Sequence, residues 1–233
     1  AGLRRDWSSE CGSSGLVGVI VGYWALLRFG HAPGCEAGDL TMSGNVVSWF
    51  DREFLPGRLH LGIHDPEGIL ATIGAVGTAL MGALAGRWLK GNAPNGGMKA
   101  AALFLAGALA TGAGLMWSSV GDMPLNKNLW TSSFVLVTGG LSLALLGVFY
   151  LLIDVWRLRA PFFFFIVIGM NSITLYLLEG CLIDFAEPAE FLFGGAIASA
   201  VAEYQGLLMA TAVVGLEWLL LFFLYRKRVF LKV

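Results

Sequence analysis

The apolar residues of this chain of 233 residues fall in long unbroken blocks, and nearly all of its charged residues lie between those blocks. A soluble domain of this length would instead bury its apolar residues as stripes and keep charge on its other faces. Charged residues make up 13% of the chain, against about 25% in soluble domains. This pattern excludes a soluble enzyme and a disordered chain. It also excludes a nucleic-acid-binding protein, which would need a basic face.

Six segments are long and apolar enough to cross a membrane as helices, which takes about 20 residues for a hydrocarbon core of about 30 Å. They run through residues 13–29, 67–89, 100–117, 131–153, 162–178 and 206–225. The sequence therefore predicts an all-α fold, a polytopic transmembrane helical bundle that forms one domain over residues 1–233.

The lysines and arginines predict the orientation of this bundle. With the N-terminus in the cytoplasm, 11 of the 15 basic residues fall on the cytoplasmic side, as the positive-inside rule requires. Both termini are therefore predicted to be cytoplasmic, in a multi-pass protein of a bacterial inner membrane. The outer connections are then residues 30–66, 118–130 and 179–205. Because loops longer than about 15 residues usually carry function, we expect function at or just beneath the outer face.

The second predicted helix opens with His64, Asp65, Pro66, Glu67 and Gly68. Asp65 suits an N-cap, Pro66 suits the first helical position, and Glu67 suits the positive end of a helix. Helix-start preferences alone explain these three residues. In the functional alternative, His64 and the two carboxylates lie at the membrane surface, where one acts as a base or orients an acceptor.

A second polar segment, Asn126 to Thr131, precedes the fourth predicted helix. Thr131 or Asn128 would cap that helix, and Trp130 would anchor it at the membrane interface. In the functional alternative, Lys127 and the flanking amides of Asn126 and Asn128 hold a sugar or a carbonyl group.

Polar residues also occur inside predicted spans. Asn171 lies in the middle of the fifth predicted span, where it should face the bundle interior and form hydrogen bonds to other helices. Glu217 lies within the last predicted span. Small residues recur every four positions along the second helix, which predicts close approach by another helix. No spacing of His, Cys and acidic residues matches a metal-ligand motif, so no metal site is expected.

Four short segments, taken in order, resemble a known family. They are Asp65–Leu70, Pro124–Trp130, Gly169–Ile173 and Leu224–Lys227. Their order and spacing resemble the heparan-α-glucosaminide N-acetyltransferase family of multi-spanning membrane acyltransferases. The resemblance covers about residues 33–178 and the C-terminal tail.

The resemblance implies an enzyme that moves acetyl groups from cytoplasmic acetyl-CoA to an amino sugar on the outer side of the membrane. It also implies that the family's catalytic histidine lies before every matched segment, so this chain is expected to correspond to the last six spans of a longer protein. His31-Ala32-Pro33 superficially echoes the family's active-site motif. We do not assign the catalytic role to His31, because the apolar helix that should follow is absent.

On this interpretation the candidate residues fall into three groups. Asp65, Glu67 and Lys127 are the candidate catalytic residues. The candidate substrate-binding residues are His64, Asn126, Asn128, Trp130 and Asn171, the last lining an acyl channel. Arg87, Lys90 and Lys99 are the candidates to meet the phosphates of acetyl-CoA as cosubstrate, although positive-inside topology already accounts for them.

The alternative function is a non-catalytic, truncated acyltransferase-like subunit that packs within a larger membrane protein complex. Both interpretations place the chain in a lipid bilayer beside other membrane helices, either a missing N-terminal half or partner subunits, and neither involves nucleic acid.

Overall fold

The computed structural model describes residues 3–92, 94–121, 123–181, 184–199 and 202–230. All regular secondary structure in these ranges is helical, which confirms the predicted all-α fold. The helices are α1 (Leu3–Phe29), α2 (Val46–Phe54), α3 (Ile69–Lys90), α4 (Gly96–Val120), α5 (Ser132–Tyr150) with a π-helical turn at Leu151–Val155, α6 (Phe163–Met170), α7 (Ser172–Cys181), α8 (Ala186–Ala198) and α9 (Ala202–Lys227).

Within the described residues, five helical segments are long and apolar enough to cross a membrane. They are Gly12–Phe29, Ile69–Lys90, Gly96–Val120, Ser132–Val155 and Ala202–Lys227. The single spanning helix predicted over residues 162–178 is not observed, because Asn171, with φ of −137°, ends α6 and separates it from α7. A helix of eight residues reaches only about 12 Å, so α6 alone is too short to cross a bilayer.

The chain divides into two compact units, Ala1–Trp156 and Arg157–Val233. That the two act together as the single domain predicted from the sequence stays a prediction.

The first unit is built around the close packing of α4 against α5. A Cβ atom on Gly107 would lie 2.5 Å from the backbone nitrogen of Ala144, and one on Gly140 would lie 2.6 Å from that of Thr111. The two backbones therefore touch, as small residues allow in membrane helices. The sequence predicted such packing for α3, where Gly74 and Gly77 do meet neighbours but Gly82 faces open space.

At one end of the first unit, a small apolar core joins α1, α2 and α3 to the connection between α4 and α5. Its buried members are Tyr23, Leu27, Val47, Ala71, Met123 and Leu129. This core packs beside a group of buried polar residues, which form the candidate site.

The second unit is held by aromatic contacts between α6 and α9. The ring of Phe164 stacks on Trp218 at 5.5 Å, and Trp218 stacks in turn on Phe222 at 5.1 Å. Phe163 meets Tyr225 edge to face at 5.7 Å. Ala189 of α8 is fully buried.

Candidate functional site

The polar cluster begins at the N-terminus of α2, where Asn45 is the N-cap. Its side-chain oxygen accepts a hydrogen bond from the backbone N–H of Ser48 at 2.7 Å, and its amide nitrogen donates to the Ser48 hydroxyl at 2.8 Å. The same nitrogen donates to the carbonyl oxygen of Thr41. Asn45 and Ser48 are fully buried, so the start of α2 is fixed by side-chain hydrogen bonds inside the protein.

His64 is also fully buried, and both of its ring nitrogens have partners. Nδ1 lies 2.7 Å from the Ser48 hydroxyl oxygen, and Nε2 lies 3.2 Å from the carbonyl oxygen of Asn128. Because Ser48 accepts a hydrogen bond from Asn45, its own proton is available for Nδ1. The consistent arrangement is therefore a neutral ring whose Nε2–H donates to Asn128.

Asp51 of α2 is the cluster's buried carboxylate. One oxygen accepts a hydrogen bond from the backbone N–H of Ile69 at 3.0 Å. Its Oδ2 is the one buried side-chain polar atom without a hydrogen-bond partner among the residues the structure describes. Burial raises the pKa of the Asp51 carboxyl above its usual range, and the nearby charge of Asp65 adds to this, although the hydrogen bond from the Ile69 N–H acts to lower it.

The start of α3 differs from the prediction. The helix begins at Ile69, and its N-cap is Gly68, which has no side chain to cap it. Asp65 instead accepts hydrogen bonds from the backbone N–H groups of Glu67 at 3.0 Å and His60 at 3.3 Å, so it stabilises the preceding turn. Asp51 caps α3 in its place. The N-cap role predicted for Asp65 is therefore wrong, because a residue distant in sequence supplies the carboxylate.

The segment that carries Lys127 is a tight turn closed by its own side chains. The Asn126 side-chain oxygen accepts from the backbone N–H groups of Asn128 at 2.9 Å and Leu129 at 3.2 Å. The Thr131 hydroxyl donates to the carbonyl oxygen of Pro124 at 2.9 Å. Lys127 lies on the turn with its side chain exposed, so a rigid turn presents this ammonium group to the surroundings.

Trp130 closes this turn in an unusual backbone conformation, with φ of +51°. Its indole N–H donates to the Thr78 hydroxyl at 3.3 Å, and its ring meets Phe134 edge to face at 5.5 Å. The Tyr23 hydroxyl donates to the carbonyl oxygen of the preceding Leu129 at 2.6 Å. A left-handed conformation is unfavourable for a bulky residue and persists only where the surroundings enforce it. Here contacts from α1, α3 and α5 do so.

The two polar segments singled out in the sequence thus meet, through the contact between His64 and Asn128. Glu67 is exposed, and Asp65 is half-buried. Sequence reasoning missed Asn45, Ser48 and Asp51. The sequence carried one signal for them. Asn45 lies three residues before Ser48, and an N-cap side chain accepts a hydrogen bond from a backbone N–H at that spacing.

Asn171 lies in the other unit. It is buried, and its amide nitrogen donates to the carbonyl oxygen of Val229 at 3.1 Å, just beyond the end of α9. Its side-chain oxygen accepts from the Thr174 hydroxyl at 3.4 Å. Asn171 therefore stabilises a helix break beside the end of α9, and its predicted place in the middle of a continuous helix is wrong.

The candidate acetyl-CoA residues lie around the C-terminal end of α3. Arg87 and Lys90 are exposed in its last turn. Lys99 is buried, and its ammonium group donates to the carbonyl oxygens of Leu89, at 2.9 Å, and Gly91. Lys99 therefore caps α3, as a cation at the negative end of a helix does.

An apolar cavity of about 440 Å³ lies between α1, α3, α4 and α5. Leu16, Met81, Trp88, Leu103 and Leu143 are among the residues that line it. Because Trp88 directly follows Arg87, the cavity reaches the same end of α3 as the exposed cations. Within the described part of the chain, no group of three or more His, Cys, Asp or Glu residues could hold a metal ion.

The chain is similar to heparan-α-glucosaminide N-acetyltransferase from Homo sapiens, with 28% identity over 261 aligned residues that cover 98% of the chain. It is also similar to the Mus musculus enzyme of the same name, with 28% identity over 240 aligned residues that cover 90% of the chain. The resemblance is confirmed. The chain spans little more than a third of the length of these relatives, 38% and 35% respectively. No protein-family model matches it.

Proposed function

We propose that the chain is the part of an integral membrane acyltransferase that moves acetyl from acetyl-CoA on the cytoplasmic side to an amino sugar on the outer side. The observation that carries this proposal is the similarity to two heparan-α-glucosaminide N-acetyltransferases along 90% or more of the chain. The five apolar helices support a place in a lipid bilayer. The polar cluster supports a site at the outer face, because its residues come from two predicted outer connections.

Acetyl transfer to an amine needs a base that takes the proton of the acceptor, and donors that stabilise the oxyanion of the tetrahedral intermediate. The resemblance implies that the histidine that would act as this base lies before every matched segment. Glu67, exposed beside the buried cluster, is the carboxylate that we assign to orienting the acceptor amine, with Asp65 holding the turn beneath it. Lys127 supplies a positive charge for the substrate carbonyl or the oxyanion. Asn126 shapes the turn that presents Lys127, since its side-chain oxygen is committed to two backbone N–H groups.

His64 acts as a positioning residue in this proposal. It is fully buried and both ring nitrogens are engaged, so it holds the Asn128 carbonyl, and with it the turn of Lys127, against α2. Trp130 acts in the same way through Thr78. Asn128 contributes its backbone carbonyl to this arrangement. Asn171 lies in the other unit. Its role in lining an acyl channel is proposed from the sequence resemblance alone.

Acetyl-CoA supplies the acyl group, and the residues at the end of α3 fit it in part. Arg87 and Lys90 expose positive charge that phosphates would bind. Lys99 does not fit as a phosphate ligand, because its ammonium group is buried on two carbonyl oxygens. The adjacent apolar cavity of about 440 Å³ falls within the range typical of small-molecule sites, about 300–1,000 Å³.

The proposal is tested with the full-length protein in nanodiscs, labelled acetyl-CoA and glucosamine as the acceptor. We expect Glu67→Gln to lower kcat by about 100-fold, the usual cost of a misplaced reactant. Lys127→Gln should lower kcat/KM, because a charge that acts on the reacting carbonyl is lost. Glu53→Gln and Arg58→Gln remove exposed charges of the same outer connection and are the matched controls. Unchanged activity in both test variants would overturn the site.

The second candidate, a non-catalytic subunit of a larger membrane complex, is favoured by the uncovered surface of α9. Of its 26 residues, Leu221 is the buried one, and its other side chains are half-buried or exposed, which leaves apolar surface for lipid or for partner helices. Wild-type protein that neither binds nor turns over acetyl-CoA would favour this second function.

A further inference from the structure

We propose that the basic end of the second unit binds an anionic phospholipid, with Arg159 on the phosphate group and an acyl chain in the groove beside α6 and α9. Its residues are not among those assigned to the proposed acyltransferase site, and the proposal does not depend on that function.

The first observation is a local excess of positive charge. Residues 157–178 and 218–230 contain no acidic residue and five basic ones, namely Arg157, Arg159, Arg226, Lys227 and Arg228. The nearest acidic residue along α9 is Glu217, which lies nine residues before Arg226, or roughly 14 Å along a helix. The other acidic residues of this unit lie at the end of α7, in or beside α8 and at the start of α9, namely Glu179, Asp184, Glu187, Glu190 and Glu203. Asp154, five residues before Arg159, is the acidic residue that precedes the first basic pair, so the five basic residues still leave a net positive charge. The basic end therefore attracts anions.

The second observation is a groove of about 600 Å³ at this end. Arg159, Ala160, Phe163, Ile166 and Tyr225 line it. Its walls are mostly apolar, and one guanidinium and one phenol group accompany them. Phe163 and Tyr225 meet edge to face at 5.7 Å, so two of the lining side chains hold each other in place.

The third observation concerns the ends of the segments that carry the cations. The helix α9 ends with hydrogen bonds from Arg228 N–H to the Tyr225 carbonyl at 3.1 Å and from Val229 N–H to the Leu224 carbonyl at 3.0 Å. This pattern usually places glycine at the left-handed position, yet Arg228 occupies it with φ of +55°, and Arg157 has φ of +57°. Arginine thus stands at two positions where glycine is the favoured residue, and both place a cation at this end of the unit.

A lipid fits these features better than a soluble anion does. A free phosphate would use Arg159 and leave the apolar walls without a partner, whereas a phospholipid uses both. Phe165 and Phe223 are also exposed, at 57% and 55%, so α6 and α9 each present further apolar surface to lipid tails. Clusters of Lys and Arg beside a membrane helix are the usual binding sites for anionic headgroups.

Two cations are held against rings of their own helix. The guanidinium of Arg226 lies 6.0 Å from the centre of Phe222, and the ammonium of Lys227 lies 5.9 Å from that of Phe223. Arg159 is exposed and lines the groove itself. We therefore assign the phosphate contact to Arg159, with the helix-end cations providing longer-range attraction.

The test measures lipid retention by native mass spectrometry of the full-length protein taken from nanodiscs of equal parts phosphatidylglycerol and phosphatidylcholine. We expect wild-type protein to retain phosphatidylglycerol with at least a fivefold preference. Arg159→Gln should reduce that preference to less than twofold, and Arg159→Lys should keep most of it. Arg58→Gln, which removes an exposed cation of the other unit, should leave the preference unchanged.

Equal retention of the two lipids by wild-type protein would overturn the proposal, and so would a preference that Arg159→Gln does not change. Inorganic phosphate or acetyl-CoA that displaces bound phosphatidylglycerol at submillimolar concentration would also overturn it, because the site would then be one for soluble anions. Thermal unfolding of each variant shows whether it is folded, and Arg159→Ala, which also removes the guanidinium, replaces Arg159→Gln if that variant is not.

Discussion

The carboxylate of Asp51 in α2 accepts a hydrogen bond from the backbone N–H of Ile69, the first residue of α3, at 3.0 Å. Gly68 precedes Ile69 and brings no capping side chain. A short helix outside the spans therefore caps a spanning helix across 18 residues of sequence. The same helix α2 carries Ser48, which binds His64, so one element fixes both the start of α3 and the buried histidine.

The first prediction concerns the space between Gly68 and Asp51. A Cβ atom on Gly68 would overlap the Asp51 carboxylate. We expect Gly68→Ala to lower the free energy of unfolding by about 1–3 kcal/mol, the usual effect of overpacking. Gly82→Ala is the control in the same helix, because nothing lies within 4 Å of its Cβ position. Thermal unfolding in detergent measures both, and equal stability of the two variants would contradict the contact.

The second prediction concerns the raised pKa of Asp51. An acid with a raised pKa binds its proton more tightly in the folded state, so the folded state loses stability as pH rises from the usual value, about 3.9, through the raised one. Asp51→Asn retains an oxygen for the Ile69 N–H and cannot ionise. We therefore expect the stability of wild type, relative to Asp51→Asn, to decrease as pH is raised over this window.

The measurement is the melting temperature of both proteins from pH 4 to pH 8, since the difference between them removes the contribution of other titrating groups. Asp39 provides a contrast, because hydrogen bonds from Thr41 lower its pKa. For Asp39→Asn the relative stability of wild type should stay level above about pH 4 and fall only below it, so this pair is also measured from about pH 2 to pH 4. A wild-type advantage over Asp51→Asn that grows with pH would show that the Asp51 carboxylate is stabilised when ionised.

The third prediction tests the contact between α4 and α5. Gly107→Ala places a methyl group against the backbone of Ala144 and Gly140, so the helices must separate and we expect a loss of about 1–3 kcal/mol. Gly112→Ala lies in the same helix and has nothing within 4 Å of its Cβ position. Unfolding in a mixed-micelle titration compares the two. A loss as large in Gly112→Ala would indicate a general effect of alanine in α4.

The helical fold follows from the sequence because apolar blocks of membrane length leave few alternatives. The break at Asn171 does not, because Asn171 sits among apolar residues and its bond to Val229 joins positions 58 residues apart. The capping of α3 was mispredicted for a similar reason. Local rules favour Asp65, and a carboxylate from α2 takes the role.

The sequence predicted the two polar segments of the candidate site but not the buried residues of α2 that lie beside them. His64 and the turn of Asn126 to Trp130 carry polar residues that draw attention in an apolar chain. Ser48 and Asp51 belong to a short helix inside a long connection, and its polar residues resemble those of any exposed loop. Only the fold shows that both are fully buried.

The fourth prediction concerns His64. His64→Ala removes the partners of Ser48 and of the Asn128 carbonyl, so the turn that presents Lys127 should become mobile. We expect backbone amides of residues 126–130 to exchange with deuterium at least tenfold faster. His60→Ala is the control, since His60 is exposed. Unchanged exchange in His64→Ala would show that His64 does not hold the turn.

The most direct test of the account is sided acetyl transfer by the full-length protein in sealed vesicles. Labelled acetyl-CoA is supplied on one side of the membrane and glucosamine on the other. Limited proteolysis from outside the vesicles determines which face of the protein is exposed there. We expect labelled N-acetylglucosamine only when acetyl-CoA is on the side of Arg87 and Lys90 and glucosamine is on the side of Glu67 and Lys127. Absence of product together with absence of acetyl-CoA binding, or product that needs both substrates on one side, would contradict it.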